Sequence, residues 1–257
     1  MITAKKSFGQ NFLKDSNVIN NIVSSVDVNP DDLIIEIGPG QGALTTRLKE
    51  KNAQVIAFEI DERMHEVLDK LEDDRTRIIY EDILKVNLSS ILKEYNYKKL
   101  YVIANLPYYI TTPIIEKLIT LDIKIDALIV MVQKEVADRF SATPGNKEYG
   151  LMTVLINSKY NVKKLFNVKN TCFIPAPKVD SAVVKMTLRN NVEEFDFNKL
   201  KKLLVCSFQH KRKTLKNNLS KEHWEVAQKV LFENDVDLNS RPENISTDLY
   251  IDICNKL

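Results

Sequence analysis

Leu100-Tyr101-Val102-Ile103-Ala104-Asn105-Leu106-Pro107-Tyr108 is an apolar run that empties into a polar-proline-aromatic turn. A short apolar run bounded by a turn reads as a buried strand with a site at its carboxyl end. In open α/β sheets, ligands bind at that edge. Asn105 offers a side-chain carbonyl oxygen. Leu106 offers a main-chain carbonyl, and Pro107 biases Leu106 away from the helical region. Tyr108 adds a flat ring. Two acceptors beside a ring suit a planar base whose exocyclic amine must react. The lone pair of an adenine amine is delocalised into its ring. Accepting hydrogen bonds from both N–H groups draws that nitrogen toward tetrahedral geometry, while stacking holds the ring still. No strong base is required, since the proton leaves once nitrogen carries the new bond. A plainer alternative for the same residues is a strand-ending turn with a packed tyrosine.

Working outward, Leu33-Ile34-Ile35-Glu36-Ile37 reads as another strand, followed by Gly38-Pro39-Gly40-Gln41-Gly42-Ala43. The glycines, Gly38 and Gly40 first, let the backbone approach a ligand and turn into a helix. The run also fits the looser G-x-G-x-x-A dinucleotide fingerprint. Glu59, at the end of the strand Gln54-Val55-Ile56-Ala57-Phe58, is the acidic residue expected about twenty positions on. It suits two ribose hydroxyls, which either NAD or S-adenosylmethionine would present. The strand Arg77-Ile78-Ile79-Tyr80 delivers Glu81-Asp82, with Asp82 placed for an adenine amine; an exposed loop acid is the ordinary alternative. Loop, Glu59, Asp82 and Asn105 at successive strand ends together look like a Rossmann-like methyltransferase. Seven strands are predicted, at 33–37, 54–60, 77–80, 100–105, 127–132, 162–168 and 182–188. The expected fold class is therefore α/β, a class I methyltransferase domain with a seven-stranded, mostly parallel sheet.

Asn105-Leu106-Pro107-Tyr108 resembles the Asn-Leu-Pro-Tyr signature of amino-group methyltransferases, and Tyr109-Ile110-Thr111-Thr112-Pro113 narrows the likeness. The chain resembles the rRNA adenine dimethyltransferases of the KsgA type, from Lys5 to the block Arg241-Pro242-Glu243-Asn244-Ile245-Ser246. Lys5-Lys6-Ser7-Phe8-Gly9-Gln10-Asn11-Phe12-Leu13 is similar to the family's opening motif, which implies that Asn11 and Leu13 contact the cofactor. Read from the residues alone, this block is a solvated arm or a lid, with Lys5 and Lys6 near phosphate. Phe173-Ile174-Pro175-Ala176-Pro177 is stiffened by its prolines. Its phenylalanine is either a loop side chain tucked into the core or, as the resemblance implies, a face for the target base opposite Tyr108. The resemblance further implies S-adenosyl-L-methionine as cofactor and no metal. The implied substrate is two adjacent adenosines near the 3′ end of small-subunit (16S) rRNA, each methylated twice during subunit maturation. Leu106, Asp180 and Ala182 fit that pattern better than that of the related macrolide-resistance enzymes. A binding-only checkpoint on immature subunits is an alternative of another class. An NAD oxidoreductase is a third, disfavoured because no catalytic Tyr/Lys or His constellation surrounds the glycine loop.

The 257 residues, 44% of them hydrophobic, suffice for one large domain and a small appendage. No apolar run approaches transmembrane length and no signal peptide is evident, so a cytoplasmic protein without a membrane partner is expected, most simply a monomer. Cys172, Cys206 and Cys254 are odd in number and lack metal-ligand spacing, so reduced, mostly buried thiols are expected. A net charge of +2 does not by itself announce a nucleic-acid binder. After Leu188 the composition turns polar, which divides the chain into a methyltransferase domain, 1–188, and a helical RNA-binding domain, 189–257. Leu200, Leu204, Phe208, Leu215 and Leu219 mark an amphipathic helical region whose exposed side carries Lys211, Arg212, Lys213 and Lys216. Such a run is commonly solvated surface. Here it resembles the family's basic block, which implies contact with the RNA backbone of the small ribosomal subunit.

Overall fold

The computed structural model describes residues 4–5, 9–190 and 193–257. A short strand β1 (Phe12–Leu13) precedes helix α1 (Ser16–Val23). Strands and helices then alternate: β2 (Leu33–Ile37), α2 (Ala43–Lys49), β3 (Gln54–Phe58), α3 (His65–Leu68), β4 (Thr76–Ile79), α4 (Leu88–Leu92), β5 (Leu100–Asn105), α5 (Thr111–Thr120) and β6 (Ala127–Gln133). The chain continues through α6 (Lys134–Phe140), α7 (Leu151–Asn157), β7 (Tyr160–Val168), β8 (Phe173–Ile174) and β9 (Ser181–Leu188). Three helices follow, α8 (Phe197–Ser207), α9 (Lys221–Glu233) and α10 (Thr247–Lys256).

Seven strands form one sheet in the order β4-β3-β2-β5-β6-β9-β7. β4 to β6 run parallel and β9 antiparallel to β6, with Val130 opposite Val184. Every residue of β2 is buried, as the near-continuous apolar runs of a sheet covered on both faces require. The side chain of Asp15 caps α1 by accepting from the Asn17 and Val18 N–H groups, and Ile19, Ile22 and Val23 turn inward. Gly42 opens α2 with φ +78°, where a Cβ would run into the Leu71 side chain. This position therefore needs glycine on two counts. β1 and β8 form a separate antiparallel ribbon, Phe12 opposite Ile174 and Leu13 opposite Phe173.

The chain forms two compact units, residues 1–137 with 163–188, and 138–162 with 189–257. This division differs from the one expected at 188 alone, because residues 138–162 group with the C-terminal helices. The reason is packing: α7 lies against α8 and α10, and the Tyr149 ring stands 6.5 Å from that of Phe208. The second unit closes over Leu200, Leu204, Trp224, Leu231 and Tyr250, the last donating its hydroxyl proton to the Pro242 carbonyl at 3.0 Å. Asp196, Ser220 and Ser246 cap its three long helices.

Two further expectations need correction. The basic block does not ride on a helix: α8 ends at Ser207, and Lys211, Arg212 and Lys213 lie in a turn. The Asn218 side chain closes that turn, accepting from the His210 N–H and donating to the His210 and Thr214 carbonyls. Lys216 follows in a single 3₁₀ turn. Of the cysteines only Cys254 is buried; Cys206 is exposed and Cys172 half-buried. Among the described residues, no helix is long and apolar enough to cross a membrane.

Candidate active site

The carboxyl ends of β2, β3, β4 and β5 open into one pocket, roofed by the arm residues Gly9 to Leu13. Nearly every residue predicted for catalysis or cofactor binding comes together there. Asn11, Leu13, Gly38, Gly40, Glu59, Asp82, Asn105, Leu106, Pro107 and Tyr108 all line it. This convergence follows from parallel strands of matched register, which deliver their following loops to one edge.

Glu59 ties the glycine loop to β3. Its carboxylate accepts from the Gly40 N–H at 3.0 Å, the Ile60 N–H at 3.0 Å and the Asp61 N–H at 2.9 Å. Burial pushes its carboxyl up, and those three donors oppose the shift. Two carboxylate oxygens offer about four acceptor positions, so capacity for a further hydroxyl is left. Asp82 turns its own loop, accepting from the Leu84 N–H at 2.9 Å. Asn105 donates through Nδ2 to the Asn11 carbonyl at 3.4 Å, which joins the arm to the turn and leaves Oδ1 as the acceptor. The Leu106 N–H donates to the Met131 carbonyl. The Pro107 carbonyl accepts from the buried Thr111 hydroxyl at 3.0 Å, so the turn is bonded on both sides. The Tyr108 hydroxyl and the buried Ser181 Oγ are 2.6 Å apart, anchoring the ring by its far end.

The other predicted residues are not among those that line it. Phe173 does not line the pocket; it is 2% exposed and packs in the core with Leu13, its partner across the β1–β8 ribbon. Of the two readings left open for it, the tucked-in side chain is the one the structure displays. The Lys5 N–H donates to Gln10 Oε1 rather than its ammonium lining the pocket, and Lys6 lies outside the described residues. Lys211, Arg212, Lys213 and Lys216 are exposed on the second unit.

Sequence reading passed over three groups. Gln10 donates through Nε2 to Asp61 Oδ2 at 2.8 Å and so fastens the arm to the end of β3. Hydrogen bonding by the Arg63 guanidinium, chiefly, holds the Asp61 carboxyl down to about 2. Ser181 was hidden at the head of an apolar strand. Glu36, 1% exposed, lines the pocket from the middle of β2. Its signal was present all along, as the one charged residue in Leu33-Ile34-Ile35-Glu36-Ile37.

The electrostatics of the pocket have one sign. Glu36, Glu59, Glu81 and Asp82 line it, and among the described residues no lysine or arginine does. Such a lining suits a cationic ligand and opposes a pyrophosphate. Four carboxyls, an apolar wall and the orphaned Glu36 Oε2 therefore fit S-adenosyl-L-methionine better than NAD.

Comparison with known proteins points the same way. A family profile described as ribosomal RNA adenine dimethylase matches residues 1–257. A ribosomal RNA small subunit methyltransferase A of Streptococcus thermophilus is 48% identical over 224 residues, 85% of this chain and 77% of its own length. Its namesake in Lactiplantibacillus plantarum is 41% identical over 269 aligned residues, covering 100% of this chain and 90% of that protein. A crystal structure of a dimethyladenosine transferase from Plasmodium falciparum matches with TM-score 0.80 at 25% identity, over 94% of this chain and 95% of that one. The 23S rRNA methyltransferase ErmE matches in fold, with TM-score 0.72 at 20% identity, over 96% and 99% of the two chains.

Proposed function

The chain belongs to the ribosomal RNA adenine dimethylase family, and from that premise we propose that it dimethylates two adjacent adenosines near the 3′ end of small-subunit (16S) rRNA. It is an S-adenosyl-L-methionine-dependent methyltransferase whose substrate is rRNA adenine. The observation that carries the reading is the pocket itself: a lining whose charged side chains are all carboxyls, beside the Asn105-to-Tyr108 turn. Small-subunit specificity is supported by the relatives' shared name and by their coverage of nearly the whole chain.

In this reading Asn11, Leu13, Gly38, Gly40, Glu59 and Asp82 hold the cofactor, Glu59 through ribose hydroxyls and Asp82 through an adenine amine. S-adenosyl-L-methionine held there would supply a methyl group on a sulfonium, with a neutral thioether as leaving group and the amine proton passing to solvent. The protein contributes position and charge complementarity. Asn105 Oδ1 and the Leu106 carbonyl accept from the two N–H groups of the target amine, Pro107 fixes the turn, and Tyr108 stacks on the base. A base reached this way must leave its neighbours in the RNA. Lys5, Lys6, Lys211, Arg212, Lys213 and Lys216 neutralise phosphates of the subunit rRNA. The enzyme works as a cytoplasmic monomer on assembling small subunits. The deciding experiment is to incubate the protein with undermethylated small subunits and S-adenosyl-L-methionine, then map methylated adenines. Two adjacent dimethylated adenosines near the 3′ end are expected; methylation confined to large-subunit rRNA overturns the assignment.

A further inference from the structure

Glu36 is a carboxyl where the fold has little use for one. It sits mid-strand in β2, between β3 and β5, on a strand otherwise made of leucine and isoleucine. It is 1% exposed and lines the pocket, yet its Oε2 has no hydrogen-bond partner. An unpaired carboxylate in such a place is costly, and a buried group avoids the cost by staying protonated or by meeting a cation. Each neighbouring element withholds that cation. β3 ends in Glu59, whose negative charge adds to the upward shift, and β5 presents Asn105, which does not titrate. α2 presents Thr45, whose hydroxyl and N–H oppose the upward shift but carry no charge. Glu81 and Asp82 after β4 supply only further carboxyls. Burial raises the Glu36 carboxyl to about 8, Glu59 contributing and the Thr45 side chain and N–H opposing. Glu59 differs in kind, because three backbone N–H groups already stabilise its ionised form.

We propose that Glu36 is the cation-receiving group of the pocket, neutral until cofactor binds and ionised in the complex, so that binding S-adenosyl-L-methionine releases a proton to solvent. The O–H bond of Glu36 breaks heterolytically, the proton passes to buffer, and the carboxylate faces the cationic end of the ligand. The inference rests on S-adenosyl-L-methionine occupying this pocket. It adds that the cofactor site responds to pH through a residue outside the binding set already described.

The test is calorimetric titration of the whole protein with S-adenosyl-L-methionine at pH 7 in buffers of differing ionisation enthalpy. The parent should release close to one proton per cofactor, and Glu36→Gln, an uncharged near-isostere, close to none. Comparing the two cancels protons exchanged by the ligand's own amine and by Glu59. Parent affinity should strengthen about tenfold per pH unit below pH 8 and level off above it. Infrared difference spectra of the parent alone should lose a protonated-carboxyl band on binding, a readout that does not depend on the variant folding. Equal proton release by parent and variant, or an unchanged carboxyl band, overturns the proposal. Failure of the parent to bind S-adenosyl-L-methionine at all would instead strike at the proposed function.

Discussion

Asn105 has one half of its amide engaged and the other half free to act. Nδ2 donates to the arm at Asn11, so Oδ1 remains as the acceptor for a reacting amine. Asn105→Ala should leave cofactor affinity within a few-fold of the parent and lower turnover by about 10²–10³, the effect of losing one preorganised polar contact worth about 3 kcal/mol. Parental turnover in that variant would remove Asn105 from the chemistry. Tyr108 acts through its ring, because its hydroxyl is already bonded to Ser181. Tyr108→Ala should therefore lose the stacking of the base, about 1–3 kcal/mol, and Tyr108→Phe much less. Ser181→Ala should match Tyr108→Phe, each costing about 1 kcal/mol. The double variant should be no worse than either single one, since both delete the same bond. Additive losses in kcat/KM would separate Ser181 from Tyr108.

The arm is fastened to the pocket, beyond its two-residue ribbon, chiefly through Gln10, which donates to Asp61 at 2.8 Å and accepts from the Arg63 guanidinium; the bond from Asn105 to the Asn11 carbonyl is longer, 3.4 Å. Gln10→Ala removes the bond to the Asp61 carboxylate, worth about 1.5–3 kcal/mol, together with those that Gln10 accepts from Arg63 and the Lys5 N–H. Cofactor affinity should fall roughly ten- to a hundred-fold, while the unfolding temperature barely moves. Hydrogen exchange at Asn11 to Leu13 would report the loosening, and unaltered exchange there would refute this account. At this scale the sequence was legible wherever an element was long. β2 to β6 announce themselves through their apolar runs and the turns that bound them. The ribbon does not, since two residues carry no period and their partners lie 160 positions away. That is why the sequence left Phe173 open between the core and the substrate. The turn after α8 also escaped, because residues 208–214 contain neither glycine nor proline and the apolar spacing runs on toward Leu215.

For the molecule as a whole, pH acts in two opposed windows. Asp61, held near 2 against an ordinary 3.8, contributes stability that is present above 3.8 and lost as pH falls through about 2. Glu36, raised to about 8 from 4.5, contributes stability that is full below 4.5 and lost as pH rises through about 8. The cofactor-free protein should therefore lose thermal stability from mildly acidic to mildly basic pH. Glu36→Gln should flatten that limb, and a limb equally steep in the variant would assign it to other groups. Charge on the second unit governs a different observable. If Arg212 and Lys213 each neutralise a phosphate, replacing both with alanine should weaken subunit binding and flatten its salt dependence. The slope of log K against log salt should drop by about 0.7–0.9 for each lost contact. Cofactor affinity should not change. Parallel salt plots of equal affinity would return the turn to ordinary solvated surface.

The pairing of Phe12 and Leu13 with Ile174 and Phe173 sets a timetable for the newborn chain. The arm leaves the ribosome ahead of every strand of the sheet, yet its own strand partner is translated some 160 residues after it. At about 5–20 residues per second, the wait is roughly 8–30 s. During that interval the strands that bear Glu59, Asp82 and Asn105 emerge, while the ribbon that seats the roof cannot yet form. The nascent enzyme thus builds its floor first and closes its ceiling only when residues 173–174 arrive to pair with the waiting arm.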